Sequence, residues 1–197
     1  MYKYFFARMW KSVRVIAGEK KGRRLIAPEG LDTRPTGDKV KEALFSIIQF
    51  DIIDGSFLDL FSGSGQMGIE ALSRGAERAV FVESNKKAYD CIKKNLSAVG
   101  YTDSANAIFG EVSGYLLGCR EKFDVIFLDP PYSKGIIASI FESVTGVCKD
   151  NGAIICEIAK GEAMPEEANG FSLKRRYKYG KTELCLYRKS SAETEIY

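Results

Sequence analysis

Asp59-Leu60-Phe61-Ser62-Gly63-Ser64-Gly65-Gln66-Met67-Gly68 is the stretch on which the fold turns. Residues 57–61 form an apolar run short enough for a buried strand. Three glycines then break the chain sharply, and a helix follows through about residue 74. A strand that passes through glycines into a helix is where a parallel sheet flanked by helices takes a nucleotide-like ligand. Glycine supplies the positive-φ turn and lets the backbone approach the ligand without a Cβ in the way. The helix N-terminus behind it favours a negative group.

Outward from this turn, strands and helices alternate. Residues 79–83 predict a second strand, and Ala88, Ile92, Leu96 and Val99 mark the inner stripe of the next helix. Residues 105–109 and 125–128 predict a third and a fourth strand. A helix over 136–147 leads to a fifth strand at 153–158. This alternation predicts a parallel sheet with helices on both faces. At the end the rhythm changes: residues 171–179 and 182–187 flank Gly180-Lys181, an antiparallel hairpin. Seven strands with a closing hairpin is the layout of Rossmann-like methyltransferases rather than of dehydrogenases.

Before the sheet, residues 13–17 and 23–27 predict a hairpin around Gly18-Glu19-Lys20-Lys21-Gly22. Val40, Ala43, Leu44, Ile47 and Ile48 predict the buried stripe of a helix capped by Thr36 or Asp38. The expected organisation is an N-terminal arm, basic hairpin and helix over 1–50, the α/β unit over 51–190, and a tail over 191–197.

The chain has 197 residues, 45% of them hydrophobic and 28% charged, an ordinary globular composition. No run approaches the ~18 apolar residues of a membrane-spanning helix, so no membrane association is expected. There is no histidine, which excludes Ser-His and Cys-His nucleophilic sites and histidine metal centres. Cys91, Cys119, Cys148, Cys156 and Cys185 are odd in number and form no C-x-x-C pair; they read as reduced core residues in a cytoplasmic protein, with no metal. The net charge is only +3, yet residues 1–50 and residues 171–190 each carry +6. Basic ends around an acidic middle suggest a polyanionic partner, with Lys20, Lys21, Arg23 and Arg24 the candidate nucleic-acid contacts.

Three motifs carry chemistry. Gly63-x-Gly65-x-x-Gly68 fits a methyltransferase, a dinucleotide-binding domain or an incidental glycine turn. Glu83 lies 20 residues after Gly63 at a strand end, where a carboxylate accepts hydrogen bonds from ribose hydroxyls, and both ligand classes offer these. Asp129-Pro130-Pro131-Tyr132 decides between them. Two consecutive prolines lock the turn and remove two N–H groups, leaving the Asp129 carboxylate and the Pro130 carbonyl to accept hydrogen bonds from one amino group. An exocyclic amine is a poor nucleophile because its lone pair is delocalised into the ring. Acceptors that hold its hydrogens can turn that lone pair toward an incoming methyl group, and Tyr132 offers a ring for the base to stack on.

The chain resembles the RsmD-type bacterial 16S rRNA guanine-N2 methyltransferases over about residues 13–188. The resemblance rests on Arg14-Val15-Ile16-Ala17-Gly18 with Gly22-Arg23, and on Arg34-Pro35-Thr36-x-Asp38-x-Val40-x-Glu42-Ala43-Leu44-Phe45. It continues from Asp59 through Gly68 into Ile69-Glu70-Ala71-Leu72-Ser73-Arg74-Gly75-Ala76, and through Asp129-Pro130-Pro131-Tyr132 to Tyr179-Gly180-Lys181-Thr182. It implies a class I Rossmann-like fold and S-adenosylmethionine as cofactor. The implied cofactor contacts are Asp59, Phe61, Gly63, Ser64 and Gly65 at the turn, Glu83 at the ribose, and Arg34 and Thr36 on the methionine side. The implied substrate is a guanine of small-subunit rRNA, met within an assembling 30S particle by a monomeric enzyme. Gly110-Glu111-Val112 departs from the family, which has Asp or Asn beside the adenine; the Val112 backbone can serve there instead. Alternatives are a DNA adenine-N6 methylase, which usually needs inserted recognition elements, and a protein glutamine methylase, which generally carries Asn at position 129. A catalytically silent RNA-binding or ribosome-assembly protein would not need the amine-orienting turn.

Overall fold

The computed structural model describes residues 13–28, 37–131 and 135–190. Its centre is an eight-stranded sheet made of β3 (Ser56–Leu60), β4 (Arg78–Glu83), β5 (Ala105–Phe109), β6 (Phe123–Leu128), β7 (Cys148–Ala159), β8 (Glu167–Ala168), β9 (Phe171–Tyr179) and β10 (Thr182–Lys189), in the order β5-β4-β3-β6-β7-β10-β9-β8. The first five in that order are parallel and the last three antiparallel. The fold is therefore the expected α/β architecture, with one addition: β8, two residues long, pairs with the start of β9 and lengthens the predicted hairpin into a three-stranded edge.

Helices α1 (Asp38–Ile47), α2 (Gln66–Ser73) and α3 (Lys86–Val99) pack on one face, over Phe57, Phe81, Val125, Phe127, Ile155 and Leu184. Helices α4 (Val112–Gly118) and α5 (Ile136–Gly146) pack on the other, over Leu58, Leu60, Ile126, Leu128, Ile154 and Cys185. Alternation along β3 and along residues 125–128 of β6 sends successive apolar side chains into opposite layers, as the pleat requires; an irregularity between Phe123 and Val125 resets the phase.

Two expectations change. Asp38 does not cap α1: the cap is Gly37, with no side-chain bond, while Asp38 pairs with Arg14 at 2.9 Å. The buried stripe of α1 is also rotated. Lys41, Leu44, Phe45 and Ile48 are buried, whereas Val40, Ala43 and Ile47 are half-buried. The reason is Lys41, whose ammonium donates to the Arg14 carbonyl at 2.6 Å and lies 3.7 Å from the Glu70 carboxylate. Thr36 lies outside the described residues.

The predicted hairpin shortens to β1 (Val13–Arg14) and β2 (Arg24–Leu25), and its docking explains why every residue of α2 is buried. Its polar outer face, Glu70 and Ser73, receives the chain from Ile16 to Lys20. Glu70 accepts the N–H groups of Ile16 and Ala17 at 2.8 and 2.9 Å and the Arg74 Nε at 2.8 Å. Ser73 donates to the Ala17 carbonyl and accepts the Lys20 N–H, while its carbonyl accepts the Glu19 N–H at 2.7 Å. Gly18, at φ +78, sits so close that a Cβ would fall 1.7 Å from the Ser73 carbonyl oxygen. The segments 14–18 and 69–76, far apart in sequence, are thus two halves of one contact.

Candidate active site

The carboxyl ends of β3, β4 and β6 hold the motifs. Just past β3 the chain turns through Phe61 at φ +66, Gly63 at φ +55 and Gly65 at φ +77. A bulky residue such as Phe61 rarely adopts positive φ, and strain of about 1–3 kcal/mol persists only where the surroundings fix it. They do so here by hydrogen bonds. The Ser62 N–H donates to the Val82 carbonyl, the Ser62 hydroxyl donates to the Asp59 carbonyl at 2.6 Å, and the Gly65 N–H donates back to Ser62. The three glycines divide the work. A Cβ on Gly68 would strike the Phe81 ring at 2.3 Å, and one on Gly65 would press Ile92 at 3.3 Å, so both serve helix–strand packing. A Cβ on Gly63 would meet nothing within 4 Å, so the turn opens toward free space at that residue.

Glu83 braces this opening. One carboxylate oxygen accepts the Gly63 N–H at 2.8 Å and the other the Asn85 N–H at 2.7 Å. Each oxygen keeps lone pairs for further donors. Asn85 caps α3 through the N–H groups of Lys87 and Ala88, and the Gly110 N–H donates to the Glu83 carbonyl, which ties the exit of β5 to the same corner. Beneath the turn, Asp59 is 1% exposed and accepts the Gly68 N–H at 3.1 Å. Burial pushes its carboxyl up to about 8; the Gly68 bond opposes this and the Glu83 charge adds to it. Asp59 therefore stands behind the loop and shapes it. The Ser64 carbonyl accepts from Asn95 Nδ2, whose amide also exchanges two bonds with the Ile26 backbone, so α3 links the turn to the chain just past β2.

At the exit of β5, Glu111 is exposed at the start of α4 and makes no capping bond, while the Val112 side chain is buried. The Val112 N–H opens α4, where a helix leaves its first donors unsatisfied. The pairing Leu60↔Leu128 closes the ladder, so Phe61 and Asp129 are the first residues past two adjoining strand ends. Asp129 is half-buried, Pro130 buried and Pro131 exposed, and Asp129 already engages a neighbour. Tyr132, Arg34 and Thr36 lie outside the described residues. Of the basic candidates, Lys21, Arg23 and Arg24 are exposed. Lys20 is partly withdrawn, bonded to Glu19 at 2.6 Å and lying over the Tyr101 ring. They sit on the face covered by α1–α3.

Glu157 belongs to none of the sequence motifs. It is 4% exposed near the end of β7, next to Asp129 by the pairing Leu128↔Cys156. The available signal was a lone acid in the otherwise apolar run 153–159. Among the described residues no group of three or more His, Cys, Asp or Glu could hold a metal, and no helix is long and apolar enough to cross a membrane.

Residues 13–188 match the profile of the family described as Conserved hypothetical protein 95. YlbH of Bacillus subtilis is 37% identical over 182 residues, covering 90% of this chain and 99% of that one. Ribosomal RNA small subunit methyltransferase D of Escherichia coli is 30% identical over 185 residues, covering 91% of each chain. The solved structure of the yhhF protein of Escherichia coli superposes with a TM-score of 0.82 at 30% identity, covering 91% of this chain and 98% of that one. The match over nearly the whole sequence, on a fold that carries both motifs at adjoining strand ends, shows that the chain belongs to the Conserved hypothetical protein 95 family, the RsmD family of methyltransferases.

Proposed function

We propose that this protein is an S-adenosylmethionine-dependent methyltransferase acting on the exocyclic N2 amino group of a guanine in small-subunit rRNA. The observation that carries the reading is the parallel register of β3 and β6, which sets the braced glycine turn and the Asp129-Pro130-Pro131 turn side by side. The relatives named as small-subunit rRNA methyltransferases support the choice of substrate. The substrate proposed is an assembling particle in the cytoplasm, and the enzyme a monomer.

The residues present fit the cofactor. The open face of Gly63 gives it room, Glu83 keeps acceptor capacity for ribose hydroxyls, and the Val112 N–H can donate to an adenine ring nitrogen. Arg34 and Thr36 are assigned to the methionine end by the family resemblance alone. When bound, S-adenosylmethionine supplies a methyl group activated on a sulfonium. The rest falls to the chain's own groups. Asp129 and the Pro130 carbonyl accept the two amino hydrogens and turn the nitrogen lone pair out of the ring plane. This is catalysis by positioning, and Asp129 takes the released proton and passes it to solvent. Tyr132 is assigned to stacking on the base.

Calorimetry should register S-adenosylmethionine and not NAD. In single-turnover methylation of small-subunit particles, Asp129→Ala should keep cofactor affinity and lose ~100-fold or more in rate, the usual scale for one positioned charge contact at a transition state. Full activity in Asp129→Ala would make the Asp-Pro-Pro turn a structural feature and overturn the mechanism.

A further inference from the structure

Asp129 shares its sheet face with a second acid that the mechanism above does not use. Phe127 on β6 and Ile155 on β7 both enter the core layer under α1–α3. Two residues on, the alternation returns Asp129 and Glu157 to that same face. The pairing Leu128↔Cys156 sets the two side by side, on neighbouring strands ~4.8 Å apart. The partner of Glu157 on β10, Leu184, belongs to the same layer, which fixes the face independently. Glu157 is 4% exposed, in a strand whose residues 152–158 are all buried. A buried carboxylate is costly unless it is matched by donors. Glu157 engages a neighbour within the protein, and a carboxylate with two oxygens has acceptor sites for more than one donor.

The bases differ in what they would bring to such a group. Beside its 2-amino group, guanine carries N1–H, a donor. Adenine, beside its 6-amino group, carries N1 with a lone pair and no hydrogen. A carboxylate only accepts, so next to the group that holds the amine it welcomes guanine and repels adenine.

Resting on the guanine-N2 reading, we propose that Glu157 is the residue that selects guanine, accepting N1–H of the target base while Asp129 and the Pro130 carbonyl hold its 2-amino group. One carboxylate then positions the nucleophile and its neighbour on the next strand reads the ring. A site with a buried acceptor disfavours an analogue that cannot donate to it, because the lone pair turned toward N1 then meets another lone pair instead of a hydrogen.

The probe is 2-aminopurine, which has the same amine on the same carbon but a bare N1 and no 6-oxygen, so the change in preference on Glu157→Gln isolates the N1 contact. Small-subunit particles are reconstituted with guanine or 2-aminopurine at the methylated position, and kcat/KM is measured for transfer from labelled S-adenosylmethionine. The wild type should favour guanine by roughly 10- to 150-fold, the range for one hydrogen bond to a charged group. Glu157→Gln places an amide there that can donate to a bare N1. It should lower the rate on guanine, raise it on 2-aminopurine, and narrow the preference at least tenfold, with cofactor affinity unchanged. A merely structural Glu157 would lower both rates together and leave the preference intact, which overturns the assignment. If Glu157→Gln does not fold, the wild type alone decides: equal use of the two bases overturns it. Transfer to neither base by the wild type overturns the methyltransferase reading first, and this one with it.

Discussion

Replacing Glu70 by Ala should be among the most damaging single changes outside the strands, and the structure gives the size. The carboxylate is wholly buried and receives three donors, the N–H groups of Ile16 and Ala17 and the Arg74 Nε, and it pairs with the Lys41 ammonium at 3.7 Å. Burial already pulls Lys41 below its ordinary value, and Glu70 is the first of the charges opposing that shift. Removing one partner of a buried charge pair costs about 3–5 kcal/mol, because the other is left uncompensated. Arg74, 20% exposed, can turn to solvent; Lys41 and the two backbone groups cannot easily do so. For a domain of this size the loss corresponds to a Tm fall of roughly 10–15 °C. Glu70→Gln keeps the volume and one acceptor and should cost about half as much. Urea unfolding measures the loss. An unchanged m-value would mean that the whole domain feels it, and a lower one that the hairpin detaches first. Hydrogen exchange should locate the damage at the Ile16 and Ala17 amides. A loss below about 1 kcal/mol with protected amides would refute the reasoning.

Asp59 should leave a signature in the pH dependence of stability. Its folded carboxyl lies at about 8 against 3.8 for the free group, so between those values the folded state holds a proton that the unfolded state releases. Its contribution is full below about pH 4 and is lost as pH rises through about 8. Asp59→Asn keeps an acceptor for Gly68 and should flatten that decline, measured by urea titrations from pH 5 to 8.5; an unaltered slope would place the proton elsewhere. On the hairpin, changing Lys21, Arg23 and Arg24 to Gln should weaken RNA binding and reduce the salt slope of log K by about 2–3, at ~0.7–0.9 per phosphate contact. Lys20, held by Glu19 and Tyr101, should add little. A slope unmoved by all four changes would put the docking surface on another face.

The alternation of strands and helices was legible because each buried face repeats at the period of its own element. Residues 105–109 were read to the residue, and β3, β6 and α3 nearly so. Helix α4 was not legible: Val112–Gly118 has seven residues, two of them glycine, too short and too weak in propensity to show a period. The rotated stripe of α1 was missed because a buried lysine looks like a solvent residue until its partner is known, and that partner lies on another helix. The position of the glycine turn, Glu83 and Asp129 at strand ends was legible from spacing alone, since each directly follows or closes an apolar run. Glu70, Ser73 and Asn95 could not, because what buries them is a segment more than fifty residues away. Glu157 fell between the two cases, visible as a lone acid in an apolar strand yet without meaning until the register set it beside Asp129.

The place of β10 bears on how the chain comes into being. Although it is the latest strand among the described residues, it lies inside the sheet, between β7 and β9, with Leu184, Cys185 and Tyr187 fully buried. A nascent chain emerging from the ribosome can pair β3 through β7 as they appear, but β7 keeps an open apolar edge until Thr182–Lys189 has emerged. Such edges template pairing with other chains. Cooperative folding is therefore withheld until nearly all of the described sequence is available, and a ribosome stalled before residue 182 would present an aggregation-prone intermediate rather than a smaller stable domain.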